Sequence, residues 1–522
     1  MGKYLNPGNL SFKEIRNDNY VDKTGMIELI NQSINKNSRL TCVSRPRRFG
    51  KSFAAEMLLA YYDKSCDSHE IFDDLEIALT DDYETFINSF DVIYIDMANI
   101  AGKVREDEIV GYIQRNIVNE LVCAYPKLQV CEAFDETLVN VVELTGNKFI
   151  MIIDEWDVII RELPDQTDDY LKFLRTIFKS SVTTNRIFAA VYMTGILPIK
   201  KTGTGSALSN FKEYSMLKPW KYGKYVGFTA EEVKKLCEDQ NGDYELMKEW
   251  YDGYSFEKDY SIYNPNSVME ALNTGDYISY WTETSIADEL MDYISKGYND
   301  LTKTIAELIA GIEVTVNTNG FANDLVTFKG KDDVLTLLIH LGYLAYDRQA
   351  GTVRIPNEEI KQEFIKAVRE VDHKETKKRV QESDQLIENT IMMREEAVAT
   401  QLAKVHMEET SPIHYNREED LRSVIKLAYY TYRDYYLQWE ELPTGEGYAD
   451  VVYLPKKNSD YPILIIELKW NDKAEGAIAQ IKNKKYTDKL KDYGNDILLV
   501  GVNYSKDTKE HTCIIEKLEK VL

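Results

Sequence analysis

Thiols and imidazoles are scarce in this chain: its 522 residues hold six cysteines and six histidines. The cysteines (Cys42, Cys66, Cys123, Cys131, Cys237 and Cys513) fall at no paired spacing, and no His-x3-His pair occurs. That pattern argues against a disulfide framework and a zinc enzyme and points to a reduced, cytoplasmic compartment. No run of about 18 apolar residues exists, so no membrane-spanning helix is expected. The N-terminus, Met1-Gly-Lys-Tyr-Leu-Asn-Pro, lacks the apolar centre of a signal peptide. Positive charge is also short, with 63 Lys and Arg against 87 Asp and Glu and a formal net charge of −24. Lysine and arginine neutralising phosphates dominate non-specific nucleic-acid binding, so bulk affinity for DNA or RNA should be weak.

What is present is chemically pointed. A chain this long predicts about three domains, and its 44% apolar content suffices for packed interiors. Arg39-Leu-Thr-Cys-Val43 reads as a short buried strand and Phe53–Tyr62 as a helix. Between them stands Ser44-Arg-Pro-Arg-Arg-Phe-Gly-Lys-Ser52. A loop in that place aims the backbone N–H groups of Arg48, Phe49 and Gly50 at a phosphate. Lys51 neutralises it, and the Ser52 hydroxyl ligates Mg2+. Arg45 stands where G-x-x-x-x-G-K-[ST] has its first glycine. Lys148–Ile153, a continuous apolar run, reads as a parallel strand delivering Asp154 and Glu155 to the carboxyl edge of a sheet, where ligands of α/β folds bind. Asp154 suits the Mg2+ shell, and Glu155 the orientation or deprotonation of a water. A third strand, Arg186–Met193, ends in Thr194, which either senses a γ-phosphate or caps a turn.

The far end carries other chemistry. Asp450-Val-Val-Tyr-Leu and Ile463–Trp470 predict a hairpin across a polar turn. Glu467 and Lys469, two apart, share one strand face, and antiparallel pairing can bring Asp450 beside them. Two carboxylates and a lysine on one face are what metal-assisted phosphodiester hydrolysis requires. A salt bridge between Glu467 and Lys469 is the plainer account, but an apolar strand makes an unassisted buried charge costly. Gln480–Tyr486 begins a helix beside the pair. Residues 411–522 hold 17 Lys and Arg against 19 Asp and Glu, a net of −2 that leaves −22 on the rest. Lys482, Lys484, Lys485, Lys489 and Lys491 crowd that helix and either guide a phosphate backbone or form a solvated face.

Between these ends, Thr229 with Glu232 three residues later predicts a capped helix. A helix to Gly342, a strand pair Tyr343–Asp347 and Thr352–Ile355, and a helix after Pro356 trace a winged helix. Its wing has only Arg348 and Arg354, which favours packing over DNA reading. Residues 373–411 read as a connector or a packed helical hairpin. Tyr20, Asp22 and Lys23 either touch the nucleoside or fix the N-terminal segment. No repeat stands out, and the 36 tyrosines trace no stacking platform.

Several stretches together resemble a bacterial family with an N-terminal AAA-ATPase-like domain and a C-terminal PD-(D/E)XK nuclease-like domain, over nearly the whole length. They are Tyr20-Val-Asp-Lys-Thr24, Ser44–Ser52, Thr194-Gly-Ile-Leu-Pro-Ile-Lys-Lys201 and Trp250-Tyr-Asp-Gly-Tyr-Ser-Phe256. To these are added Tyr263-Asn-Pro265, Leu337–Leu344, Glu467-Leu-Lys-Trp470 and Gln480–Tyr486. The resemblance implies an α/β multidomain chain. Its parts are a P-loop parallel-sheet ATPase domain (1–225), a helical lid (226–325), a winged-helix-like segment (326–372), a helical connector (373–410) and a restriction-endonuclease-like α/β domain (411–522).

In that family an arginine is tolerated at the position of Arg45. The resemblance implies ATP and Mg2+ as cofactors, with Lys51 and Ser52 as the nucleotide and Mg2+ contacts and Asp154 with Glu155 as the hydrolytic acids. It further implies Asp450, Glu467 and Lys469 as nuclease residues and Gln480 as their support. Glu418 is the best match for a further metal-binding acid, with Glu419 open. The expected function is an ATP hydrolase whose nucleotide state controls a Mg2+-dependent nuclease acting on DNA or RNA. The alternatives are a nucleotide-dependent switch or scaffold with an inactive nuclease-like domain, and a protein that binds ATP but barely hydrolyses it. A homo-oligomer stays open, as does the choice among Arg161, Arg175 and Arg186 for an arginine supplied to a neighbour.

Overall fold

The computed structural model describes residues 2–518 other than 105–108, 200–207, 258–259, 282–300, 322–327, 329, 371–373, 410–423, 427, 430, 433–434, 440–450, 457–460 and 484–495. It forms two compact units, 1–283 with 315–360, and 284–314 with 361–522.

In the first unit, β1 (Leu40–Ser44), β2 (Asp91–Asp96), β3 (Phe149–Asp154), β4 (Phe188–Gly195) and β5 (Lys212–Tyr214) build one sheet in the order β2-β3-β4-β1-β5. Every pairing is parallel. β1, β3 and β4 are buried along their whole length, which is why they read as unbroken apolar runs. Cys42, Ile93, Ile95, Met151, Ile153, Val191 and Met193 fill one face of the sheet together with Ile113, Ile117 and Leu121, spaced four apart along the Ile109–Ala124 helix. Against β2, β3 and β4 also packs the Lys51–Tyr62 helix. β4 starts later than the sequence suggests. Ser180 accepts from the Thr183 N–H and caps a Ser181–Ile187 helix, so Arg186 and Ile187 close a helix instead of opening the strand.

Thr229 and Glu232 form the expected capping box on the Ala230–Gln240 helix. Two further helices, Tyr244–Tyr251 and Pro265–Thr274, follow. The stretch expected as a helical lid, 226–325, is not purely helical among its described residues, however. Tyr254–Glu257 and Tyr260–Tyr263 pair with each other, and the latter with Phe228–Thr229, as an antiparallel sheet. Their aromatic-polar alternation favours strand over helix. The Lys331–Leu341 helix ends at Gly342, whose φ of 88° only glycine adopts freely. Ala345–Asp347 then pairs antiparallel with Thr352–Arg354, and a helix starts at Glu358. Arg354 donates to the carbonyls of Gly253 (2.9 Å) and Pro356 (3.3 Å), so this wing base serves packing.

In the second unit the strands Tyr436–Trp439, Val451–Pro455, Ile463–Trp470, Ile497–Ser505 and Glu510–Lys517 lie side by side in chain order. All pairs are antiparallel except Ile463–Trp470 with Ile497–Ser505, which are parallel. The crossover holds the Ala474–Asn483 helix. This helix starts six residues before Gln480, because Ala474, Ala477, Ile478 and Ile481 already make a helical stripe. Strand alternation divides the interior. Leu464, Ile466 and Leu468 pack with Leu386, Ile387, Val398 and Leu402 of the hairpin Lys374–Ile391 and Glu395–Glu409. Ile463 and Ile465 pack with Ile478 and Ile481 on the other side. Residues 374–409 thus form a packed hairpin. Residues 424–426 and 428 are helical, while 421–423, 427 and 430 lie outside the described residues. Among the described residues, no helix is long and apolar enough to cross a membrane.

Candidate functional site

The loop after β1 turns back on itself through Arg48 and Gly50, with φ of 64° and 86°, and enters the helix at Lys51. Lys51 is 4% exposed, and its Nζ donates to the Pro46 carbonyl at 2.8 Å. Burial lowers its proton affinity, while the charges of Glu155, Asp154 and Asp157 oppose that effect. β3 delivers Asp154 to the same edge. Burial pushes its carboxyl up to about 6, against the pull of the Ser52 hydroxyl and of Lys51. Asp154, Lys51 and Ser52 therefore lie together.

Adjacent strands extend this row. Asp96 is the register partner of Asp154. Next to Met193, the partner of Ile153, comes Thr194, fully buried, with an Oγ1 that has no hydrogen-bond partner among the described residues. By strand alternation, Asp96, Asp154 and Thr194 share the face opposite Ile95, Ile153 and Met193. Glu56, one helical turn after Ser52, has its carboxyl pushed up to about 7 by burial and by the charges of Asp154 and Asp96. Sequence reasoning missed both Asp96 and Glu56. The acid at the end of the 91–96 run was the available signal for the first, and i+4 spacing from Ser52 for the second. Glu155 follows in a left-handed backbone conformation, φ 50°, and its Oε2 lies 3.7 Å from Arg161 Nη2.

Arg45, Arg48 and Phe49 make their side-chain contacts within the same unit. Arg45 is fully buried, and its Nη1 donates to the carbonyls of Ser44 (2.8 Å) and Tyr214 (3.0 Å). Arg48 Nη1 donates to the Tyr280 carbonyl at 3.1 Å. Phe49 meets the Tyr254 ring edge-on at 5.4 Å. A Cβ on Gly342 would stand 2.7 Å from Pro46 Cγ, so only glycine lets that segment approach the loop. The side chains of Arg48 and Phe49 are thus held by Tyr280 and Tyr254. Tyr20, Asp22 and Lys23 fix structure. Asp22 accepts from the N–H of Thr24 and of Glu76, both at 2.8 Å, and Lys23 pairs with Glu232 at 2.6 Å. Arg186 pairs with Glu143 on the surface.

In the second unit, Glu467 is 2% exposed, and Gln480 joins it to Lys469 by donating to Glu467 Oε1 and accepting from Lys469 Nζ. Register explains the closeness. Gly501 lies opposite Glu467, and a Cβ there would stand 2.6 Å from the Ala474 carbonyl, so the helix bearing Gln480 sits directly on the strands. Asp450, Glu418 and Glu419 lie outside the described residues, as do Lys484, Lys485, Lys489 and Lys491. Val451, next to Asp450, pairs with Ile466, next to Glu467. Lys482 is ion-paired with Glu516. Among the described residues, no group of three or more His, Cys, Asp or Glu is placed to hold a metal ion.

Residues 7–204 match the family model described as Predicted AAA-ATPase, and residues 417–513 that of the PD-(D/E)XK nuclease superfamily. An uncharacterised protein in the vnfD 5′ region of Azotobacter chroococcum mcd 1 is 23% identical over 541 residues, covering 97% of each chain. Of solved structures, the Aeropyrum pernix ORC2 protein with ADPNP and ADP aligns with 13% identity and a TM-score of 0.28, over 68% of this chain and 98% of that one. The A. pernix ORC1 protein in complex with DNA aligns with 10% identity and a TM-score of 0.26, over 71% and 98%. Likeness at that level carries no functional argument.

Proposed function

From a chain that combines a predicted AAA-ATPase domain with a PD-(D/E)XK nuclease superfamily domain, we propose an ATP hydrolase whose nucleotide state governs a metal-dependent nuclease. One observation carries the first half: Lys51, Ser52, Asp154, Glu155 and the unpartnered Thr194 Oγ1 converge at the carboxyl edge of a parallel sheet. The donor set fits Mg2+ and a triphosphate. Lys51 exchanges the Pro46 carbonyl for a phosphate oxygen, Ser52 and Asp154 hold the metal, and Thr194 donates to the γ-phosphate. Glu155 orients the attacking water and takes its proton. Mg2+ bound there neutralises charge developing on the phosphoryl oxygens.

For the second half, Glu467 with Asp450 and Glu418 forms the metal-binding set, Lys469 positions the water, and Gln480 holds Glu467 and Lys469 in register. The grip of Arg45, Pro46, Arg48 and Phe49 on residues 254–256, 280 and 342 supports coupling of the phosphate loop to the lid. The test is incubation of the full chain with Mg2+ or Mn2+ and single- and double-stranded DNA and RNA, with and without ATP. Cleavage that Lys469→Ala abolishes and Lys51→Ala uncouples from ATP supports the reading. ATP turnover without cleavage of any substrate favours the switch or scaffold, which the net charge of −24 also suits.

A further inference from the structure

We propose that Arg161 is a positioning residue for ATP hydrolysis: it holds the Glu155 carboxylate and ties it to the turn that follows β4. The inference rests on the ATPase reading and assigns a regulator of Glu155 within that site.

Arg161 lies in the short Val158–Glu162 helix just after the Asp154-Glu155 pair. Its side chain is only 6% exposed although it carries a full charge. Three acids surround it. Nε donates to Asp157 Oδ2 at 3.1 Å, Nη1 lies 3.4 Å from Glu162 Oε1, and Nη2 lies 3.7 Å from Glu155 Oε2. The contact with Asp157 is the anchor. Asp157 is fully buried, and its carboxylate also accepts from the N–H groups of Ile196 (3.1 Å) and Leu197 (2.9 Å). The Trp156 N–H donates to the Thr194 carbonyl at 2.9 Å.

The end of β3 and the turn after β4 are thereby fastened at two levels, with Gly195 between them. A Cβ on Gly195 would stand 2.3 Å from Asp157 Oδ1, so the approach depends on its absence. A guanidinium held by a buried carboxylate has little freedom, and the carboxylate facing its other end inherits that restriction. Glu155 needs such support, since it has a left-handed backbone and a side chain 29% exposed. The Arg161 charge also reaches Lys51, where it weakens proton binding. Displacement of the Thr194–Leu197 turn would move Glu155 through Asp157 and Arg161.

The experiment uses the full chain and its Arg161→Ala, Arg161→Lys and Glu155→Gln variants. It measures steady-state ATPase kcat and KM, equilibrium binding of a fluorescent ATP analogue, and melting temperature. Misplacing a catalytic group by an ångström costs on the order of 100-fold, so Arg161→Ala should lower kcat about 10- to 100-fold while the analogue's Kd stays within about threefold. Arg161→Lys, which keeps the charge but not the fork, should recover kcat to an intermediate level. A kcat for Arg161→Ala within about twofold of wild type, or above it, overturns the proposal. So does a loss of kcat that tracks melting temperature, with Lys no better than Ala, because that is a purely structural role. If wild type does not hydrolyse ATP, or Glu155→Gln leaves hydrolysis unchanged, the ATPase reading itself fails and takes this proposal with it.

Discussion

The Arg45 guanidinium lies over the Phe256 ring, 5.0 Å from its centroid. An arginine that replaces a phosphate-loop glycine thus joins the loop to the lid hairpin, while its backbone N–H donates to the Gly195 carbonyl at 3.0 Å. Arg45→Gly, which restores the commoner sequence, should therefore weaken the protein. Lost packing and carbonyl contacts place the cost at about 2–4 kcal/mol. Differential scanning calorimetry should show the first-unit transition lowered by roughly 4–10 °C.

Asp157 holds two backbone N–H groups and a buried guanidinium, so its removal leaves all three unmet. Asp157→Ala should cost about 3–5 kcal/mol, and Asp157→Asn less, since one carbonyl oxygen remains. Denaturant unfolding of the two variants beside wild type measures both losses.

Gly501→Ala places a methyl group against the Ala474 carbonyl and should push the helix bearing Gln480 off the strands. Overpacking of this kind costs about 1–3 kcal/mol. The expected result is nuclease activity reduced at least as far as in Gln480→Ala, with ATP turnover unchanged. Parallel cleavage and ATPase assays on both variants check it.

Two of the three buried histidines among the described residues weaken the fold in acid. Burial holds His340 down to about 3, and burial with the neighbouring His406, 2.8 Å away, holds His511 down to about 4. Both folded values lie below the ordinary value near 6.5, so the unfolded chain takes up these protons first. The stability each imidazole contributes is complete above pH 6.5 and is lost as pH falls towards its folded value. At pH 5 the loss is about 2 kcal/mol per histidine. One lies in each unit, but in the first the raised carboxyls of Asp154 and Glu56 bind protons more readily in the folded state and oppose the loss, so the drop between pH 7 and pH 5 is expected in the melting transition of the second unit. His340→Leu should raise the first unit's melting temperature at pH 5 more than at pH 7 and leave the second unit's response unchanged.

Much of this was legible in the sequence because burial on both faces leaves unbroken apolar runs. β1, β3 and the Ile463–Trp470 strand were readable for that reason, as were the acids at the ends of β3 and of the Ile463–Trp470 strand. The register that sets Gln480 between Glu467 and Lys469 was not, since it depends on Gly501, which lies on the neighbouring strand and belongs to no motif. Nor was the role of Arg161. A lone arginine in a charged segment carries no sequence signal, and its meaning comes from Asp157 and from a turn some forty residues further on. Arg186 misled in the opposite way. It adjoins an apolar run and was read into the strand, whereas the Ser180 cap decides for helix.

The hairpin of Lys374–Ile391 and Glu395–Glu409 bears on where this chain can be cut. Leu386, Ile387, Val398 and Leu402 form one interior with Tyr453, Leu464, Ile466 and Val500. A truncation at residue 411, where the motif-bearing stretch begins, would strip Leu386, Ile387, Val398 and Leu402 from that interior and present the apolar surface they cover to water. The smallest heritable piece that keeps the second interior whole therefore begins upstream of Lys374, well before any residue of the proposed chemistry. Recombination that moved the nuclease-like part between proteins would have had to carry the hairpin along.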